Sequence, residues 1–469
     1  MAATLRLRLD RSSRITLAEQ IRAGILAAVE SGTLAPGARL PSWLDLAAQL
    51  GVSRGTVKTA YERLADEQII VAHGPGGSRV SDHAASAASA TATPAQPDPL
   101  PALYQDFFSG PAIFQMGVPA SDCFPASLFA RLRANAARLE VAAPAVYPDP
   151  RGEFELRRVI AGHLGLARGI QCHPSQVFVT AGYAGALGLV LRVLQCEGRT
   201  AWMEDPGFFQ GRMALELAGL SLVPVPVDED GMDVRHAIEH APHAALALVT
   251  PGQQAPLGAT LSLARRVQLI DWAARNEAWV IEDDYLGELQ LKRRAAPALA
   301  SLDRNGRVVH IGSFSKTISP TLRLGFAVVP AALAPRFAEA AMCLAPAPGP
   351  AVQLATAEFM RDGHFMRHLR RMKRIYAARS EALQAALLAK GYTAHAGGLA
   401  VLLRLPEGTD DVAICREAQA FGLAPVPLSA WHSPAGPRPP GLLLGVSTAV
   451  EAQVPAACER LHRLIAKFG

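Results

Sequence analysis

The sequence predicts a multidomain protein: a small α+β head of the winged helix-turn-helix kind and a larger α/β body with a largely parallel sheet. Three observations carry this. The chain has 469 residues, half of them apolar, which is too long for one ordinary core. Composition breaks at "DHAASAASATATPAQPDPLPA", residues 82–102, where large apolar side chains nearly vanish. Beyond the break, short strand-like runs alternate with helix-length segments, the pattern of strands joined by crossover helices. The expected division is a head over 1–81, a flexible linker over 82–112 and a body over 113–469.

The head reads as three helices and a hairpin. Ile15, Ala18, Ile21, Ile25, Ala28 and Val29 recur at helical spacing. "GTLAPGARLPS" breaks that helix. Ser42 caps a second helix that Gly51 ends, and Ser53 caps a third, "SRGTVKTAYERLADE", with Val57, Ala60, Tyr61 and Leu64 as its apolar stripe. "QIIVAH" and "SRVS" flank a glycine turn at 74–78, which reads as a wing rather than a phosphate loop because no strand-to-helix junction surrounds it. In a winged helix-turn-helix the start of the second motif helix enters the major groove. Ser42, Ser53, Arg54, Thr56 and Lys58 are the candidate DNA contacts. A small helical interaction module with a solvated face fits the same pattern. The formal net charge of +5 favours an acidic partner only weakly.

In the body, "QVFVTAG", "AWMED", "LSLVPVPV", "AALALVTP", "AWVIEDDY", "VVHIGS" and "LGFAVVP" are strand-like, with helices expected at 183–196 and 262–276. Ligands bind at the carboxyl ends of such strands. There stand Asp283, then Ser313 and Lys316 in "SFSKTISPTLRLGF", and Gly182-Tyr183. A lysine beside a carboxylate, an aromatic and phosphate ligands suits pyridoxal 5′-phosphate (PLP). Lysine forms a Schiff base with its aldehyde, an aspartate keeps the ring nitrogen protonated, and phosphate needs helix-terminal N–H groups, hydroxyls and an arginine. Each residue also has a plain structural reading: a surface lysine, a solvated arginine, a core phenylalanine, a helix-capping aspartate. His364 and His368 stand four apart, but no carboxylate or cysteine completes a metal site, so a basic solvated helix face is expected. Six cysteines without a C-x-x-C pair fit a reducing cytoplasm. The N-terminus lacks the apolar core of a signal peptide, and no apolar run would span a bilayer.

The head's "PG-x-x-LPS", "LA-x-x-LGVSR-x-TV" and "A-Y-x-x-L" resemble GntR-family bacterial regulators. The body's "YPDPRGEFELRRVIAGHL", "VFVTAGYAGAL", "EDPGFF", "TPGQQAPLG", "VIEDDY" and "SFSKTISPTLRLGF" resemble fold-type I aminotransferases over roughly residues 115–465. That fold adds a small C-terminal α/β subdomain. The joint layout is similar to the MocR/GabR-type regulators. The resemblance implies Lys316 as the Schiff-base lysine, Asp283 at the pyridine nitrogen, Tyr285 at the phenolic oxygen and Phe208 on the ring. It implies Ser313, Arg323 and the amides of Tyr183 and Ala184 on the phosphate. Tyr147 would reach the partner's phosphate in a homodimer, head-to-tail in arrangement. It implies operator DNA and a small amine or PLP as partners.

The chain departs from the family pattern in several places. Leu44 replaces a phosphate-contacting arginine in the head. Gly252, Gln253, Gln254, Ala255 and Pro256 replace "S-H-Q-aromatic-P". Leu443 replaces the arginine that grips a substrate carboxylate, which leucine cannot do. Arg212 remains to meet an acidic ligand, and Arg438 has no place assigned by the sequence. Three readings compete: a PLP-binding regulator, an active aminotransferase with a vestigial head, and a regulator whose body only dimerises. Leu443 counts against the second, and the set Asp283, Tyr285, Lys316 and Arg323 against the third.

Overall fold

A computed structural model describes residues 7, 9–13, 15–72, 77–81, 112–291, 296–434 and 436–468. The expected linker lies outside these but for residue 112, as does most of the wing turn. The chain forms two compact units.

In the first unit, α1 (Leu17–Glu30), α2 (Trp43–Leu50) and α3 (Arg54–Asp66) precede β1 (Ile70–Ala72) and β2 (Ser78–Val80), which pair antiparallel. Thr16, Ser42 and Ser53 each accept an N–H of the helix that follows, so the caps set where the helices start. Gly51 ends α2 at φ 64°, a left-handed conformation that glycine adopts without a Cβ penalty. Ile21, Ile25, Leu46, Val57, Ala60, Leu64 and Val80 close one core. The Tyr61 hydroxyl donates to the Pro41 carbonyl at 2.8 Å, tying α3 to the entry of α2. Arg54 and Lys58 stand exposed at the start of α3, as do Trp43 and Leu44 on α2.

In the second unit, α4 (Ala126–Ala142) and α5 (Phe154–Arg168) lead into an alternation of strands and helices. These are β3 (Val177–Thr180), α6 (Gly182–Leu194), β4 (Thr200–Asp205), α7 (Phe209–Leu217), β5 (Ser221–Asp228), β6 (Gly231–Met232), α8 (Val234–His240), β7 (Leu246–Val249), α9 (Leu263–Arg275), β8 (Trp279–Asp284), α10 (Leu299–Leu302), β9 (Val308–Ser313) and β10 (Gly325–Val328). The sheet order is β3-β10-β9-β8-β7-β4-β5-β6. From β9 to β5 the strands are parallel; β10 runs against both β9 and β3. Both faces are covered. On β7, Leu246 and Leu248 enter one core while Ala247 and Val249 enter the other, which is why that strand reads as an unbroken apolar run.

Helices α11 (Ala334–Leu344), α12 (Pro350–Arg361) and α13 (His364–Leu388) lead to a smaller subdomain. It comprises β11 (Ala394–Gly397), β12 (Ala400–Arg404), α14 (Asp411–Gln419), β13 (Val426–Pro427), β14 (Gly441–Gly445) and α15 (Val454–Phe468). Its strands are antiparallel in the order β11-β12-β14-β13. Among the described residues, no helix is long and apolar enough to cross a membrane.

Candidate functional site

The site grows from the strand ends. In the β8–β9 register Asp283 faces Ile311, so Asp283 and the Ser313–Lys316 turn leave neighbouring strands on the same side. Across β10, Gly325 pairs with both Ser313 and Thr180. That row leads to Gly182, the first residue of α6. A Cβ on Gly325 would approach the Gly182 carbonyl carbon to 2.9 Å, so the strand meets the helix start only without a side chain. No side chain caps α6, and the amides of Tyr183 and Ala184 lie in its first turn, where backbone N–H groups lack helical partners. A Cβ on Gly182 would stand 4.0 Å from the Arg323 guanidinium carbon. Arg323 ends a short helical turn left-handed at φ 48°, a conformation uncommon for a non-glycine residue. Among the described residues no ion pair is formed by Arg323. A cation over an uncapped helix N-terminus is a ready anion cradle.

Burial pushes the Lys316 amine down to about 8, against the pull of Asp283. Burial holds the Asp283 carboxyl well above the usual range, with Asp284 and Glu204 adding to it and Lys316 opposing. The Tyr183 hydroxyl is buried beside Asp283 without a hydrogen-bond partner at normal geometry. Burial and Asp283 raise both Tyr183 and Tyr285. Phe208 lies 5.8 Å from both the Tyr183 and Trp431 rings.

The subdomain loop carrying Trp431 is fastened to the end of β4. Gly207 N donates to Trp431 O at 3.0 Å, and Ser433 N donates to Asp205 Oδ1 at 2.7 Å. Burial pushes Asp205 up, but His432 and the Ser433 amide hold it below the usual range. Arg212 reaches the Trp431 and Ala430 carbonyls at 3.4 and 3.3 Å; burial draws its guanidinium down. Arg438 is exposed on the same loop and repels Arg212. Leu443 is fully buried in β14, paired with Leu402 and Val426. Tyr147 is fully exposed.

The sequence reading missed Glu204, buried at 4% exposure. It accepts Thr250 N at 3.1 Å and the Thr250 hydroxyl at 2.5 Å, and burial pushes it up to about 7. An acid inside the apolar run "AWMED" was its only sign. His368 corrects the expectation of a solvated face: it is buried and meets the Thr317 carbonyl at 2.8 Å, because α13 packs Phe365, Leu369 and Met372 around it. Among the described residues no cluster suited to a metal occurs.

A two-domain protein thus emerges, with an aminotransferase-like body behind a helix-turn-helix head. The models "Aminotransferase class I and II" and "Bacterial regulatory proteins, gntR family" match residues 126–421 and 17–80. The chain is 34% identical to the probable rhizopine catabolism regulatory protein MocR of Rhizobium meliloti, over 91% of this chain and 90% of that one. It is 32% identical to the pyridoxine biosynthesis regulator PdxR of Corynebacterium glutamicum, over 82% of each. Among solved structures it is similar to LysN, an α-aminoadipate aminotransferase of Thermus thermophilus complexed with N-(5′-phosphopyridoxyl)-L-leucine. That match has TM-score 0.70 and 27% identity over 78% of this chain and 95% of that one. The Pyrococcus horikoshii kynurenine aminotransferase shares the fold, with TM-score 0.69 and 23% identity over 77% and 92%. The chain belongs to the MocR-type GntR-family transcriptional regulators.

Proposed function

We propose that this regulator holds PLP at Lys316, binds operator DNA through the start of α3, and takes PLP or a small amine as its signal. The observation that carries the reading is the meeting of Lys316, Asp283 and Arg323 with the uncapped start of α6 at one end of the large sheet. The buried Tyr183 hydroxyl, without a hydrogen-bond partner, is a polar group that a bound phosphopyridine would satisfy, and Arg323, exposed and without an ion pair among the described residues, could meet its phosphate. PLP, when bound, supplies an aldehyde that joins amines and an electron-withdrawing ring. Lys316 would hold the aldehyde carbon, and its lowered basicity leaves part of it as free amine near neutral pH. Asp283 would hold the proton at the ring nitrogen, Tyr285 would face the phenolic oxygen and Phe208 would cover the ring. Ser313, Arg323 and the amides of Tyr183 and Ala184 would hold the phosphate.

The protein works in the cytoplasm as a homodimer, in which Tyr147 of the partner subunit completes the phosphate site. Val141 and Val146, close to Tyr147 in the chain, are exposed as it is, apolar surface suited to a second copy. An active aminotransferase is disfavoured by Leu443, which leaves an α-carboxylate without its usual partner. Arg212, whose bonds to the Trp431 and Ala430 carbonyls are long, is the group that an acidic signal would meet. Adding PLP to the purified protein tests the reading. A visible absorption band should form, and Lys316→Ala should lose it while melting as a folded protein. A protein that stays colourless with PLP would overturn the cofactor assignment.

A further inference from the structure

The Lys316 ammonium donates to the Gly117 carbonyl at 2.6 Å, joining positions 199 residues apart. Gly117 belongs to residues 112–120, the first described stretch of the body after the linker region. This stretch is clamped along its length. Ile113 N donates to Gly422 O at 3.2 Å, and Ala424 N donates to Ile113 O at 2.8 Å. Gly445 N donates to Phe114 O at 2.7 Å. The Ser447 hydroxyl donates to Val118 O at 2.6 Å, and Ala120 N donates to the Tyr376 hydroxyl at 2.7 Å. A Cβ on Gly445 would come within 2.0 Å of the Gln115 oxygen, so β14 and the strap touch backbone to backbone. The strap therefore links the lysine, the small subdomain and the chain that leads to the head.

We propose that the Lys316–Gly117 bond is how this chain reads its cofactor: joining Lys316 to an aldehyde breaks the bond and loosens the strap 112–120. The proposal rests on the reading that Lys316 takes PLP. The chemistry dictates the break. The ammonium yields a proton to solvent, and the free amine attacks the aldehyde carbon. A C=N bond forms, and the aldehyde oxygen leaves as water with the amine's two remaining hydrogens. The product nitrogen carries one hydrogen when protonated and none otherwise, and it is fixed in the plane of the ligand's imine. It can no longer serve Gly117 as the three-donor ammonium did. A hydrogen bond from a charged group is stronger than a neutral one, so its loss is felt where the strap meets the lysine.

Hydrogen–deuterium exchange on the wild-type protein tests this, comparing the unloaded form, the PLP-loaded form and the form saturated with pyridoxamine 5′-phosphate. The last carries the ring and phosphate but no aldehyde, so Lys316 keeps its ammonium. PLP should speed exchange at Ile113, Gln115 and Ala120 by about tenfold or more, and pyridoxamine 5′-phosphate should not. Equal effects of the two ligands, or an unchanged strap beneath a fully formed visible band, would overturn the proposal and leave the cofactor reading intact. Failure of PLP to form the band would count against that reading itself.

Discussion

Leu443 is enclosed by Leu402 and Val426 on strands to either side, so the wall at this position is apolar. Leu443→Arg should destabilise the body by roughly 3 kcal/mol, because a buried cation without a counter-ion lacks compensation. Denaturant titration would measure this; an unchanged midpoint would mean that the wall opens to solvent. Glu204 makes a second prediction at this scale. Its carboxyl lies at about 7 in the folded state against 4.5 when free. A raised carboxylic acid favours the fold most when it is protonated. The stability it contributes is fully present below about pH 4.5 and is lost as pH rises through 7, a change of roughly 3 kcal/mol. Glu204→Gln should flatten that part of the pH–stability curve, as followed by urea unfolding between pH 4.5 and 7.5. A slope identical to wild type would show that Glu204 does not titrate there.

At the scale of the element, α3 presents Arg54, Lys58 and its Ser53 cap to solvent while its apolar stripe is internal. Arg54→Ala should weaken operator binding by about 1–3 kcal/mol and relax base preference; binding assays on operator and random DNA would check both. Equal behaviour of mutant and wild type would remove α3 as the reading helix. The caps Ser42 and Ser53 were legible because capping is a local pattern. The strand β7 was legible because burial on both faces writes a continuous apolar run. The antiparallel strands of the small subdomain were not read from pattern. β13 is two residues long, and β11 is "AHAG", with no apolar alternation to find. His368 was misread because its basic neighbours hid the buried stripe of Phe365, Leu369, Met372 and Tyr376 on which it lies.

For the whole molecule, sequence order alone brought out Lys316, Asp283 and the glycine-led helix, since each stands at or just beyond the carboxyl end of a strand. Contacts between distant stretches could not be read that way: Glu204 with Thr250, or Lys316 with Gly117, depend on the register of the folded sheet. The strap has a consequence for the operator. Coupling between two binding events is reciprocal, so any factor by which PLP alters DNA affinity must also appear in the affinity for PLP when DNA is bound. If the strap relays the state of Lys316 toward the head, operator duplex should shift the PLP titration midpoint, measured by absorbance, by the same factor that PLP shifts the DNA titration. A PLP midpoint indifferent to saturating operator, in a protein whose DNA affinity does respond to PLP, would violate linkage and point to a change in oligomeric state. On that relay the promoter would act as a second ligand linked to the lysine, and the number of free operator sites in a cell would set how tightly the regulator keeps its cofactor.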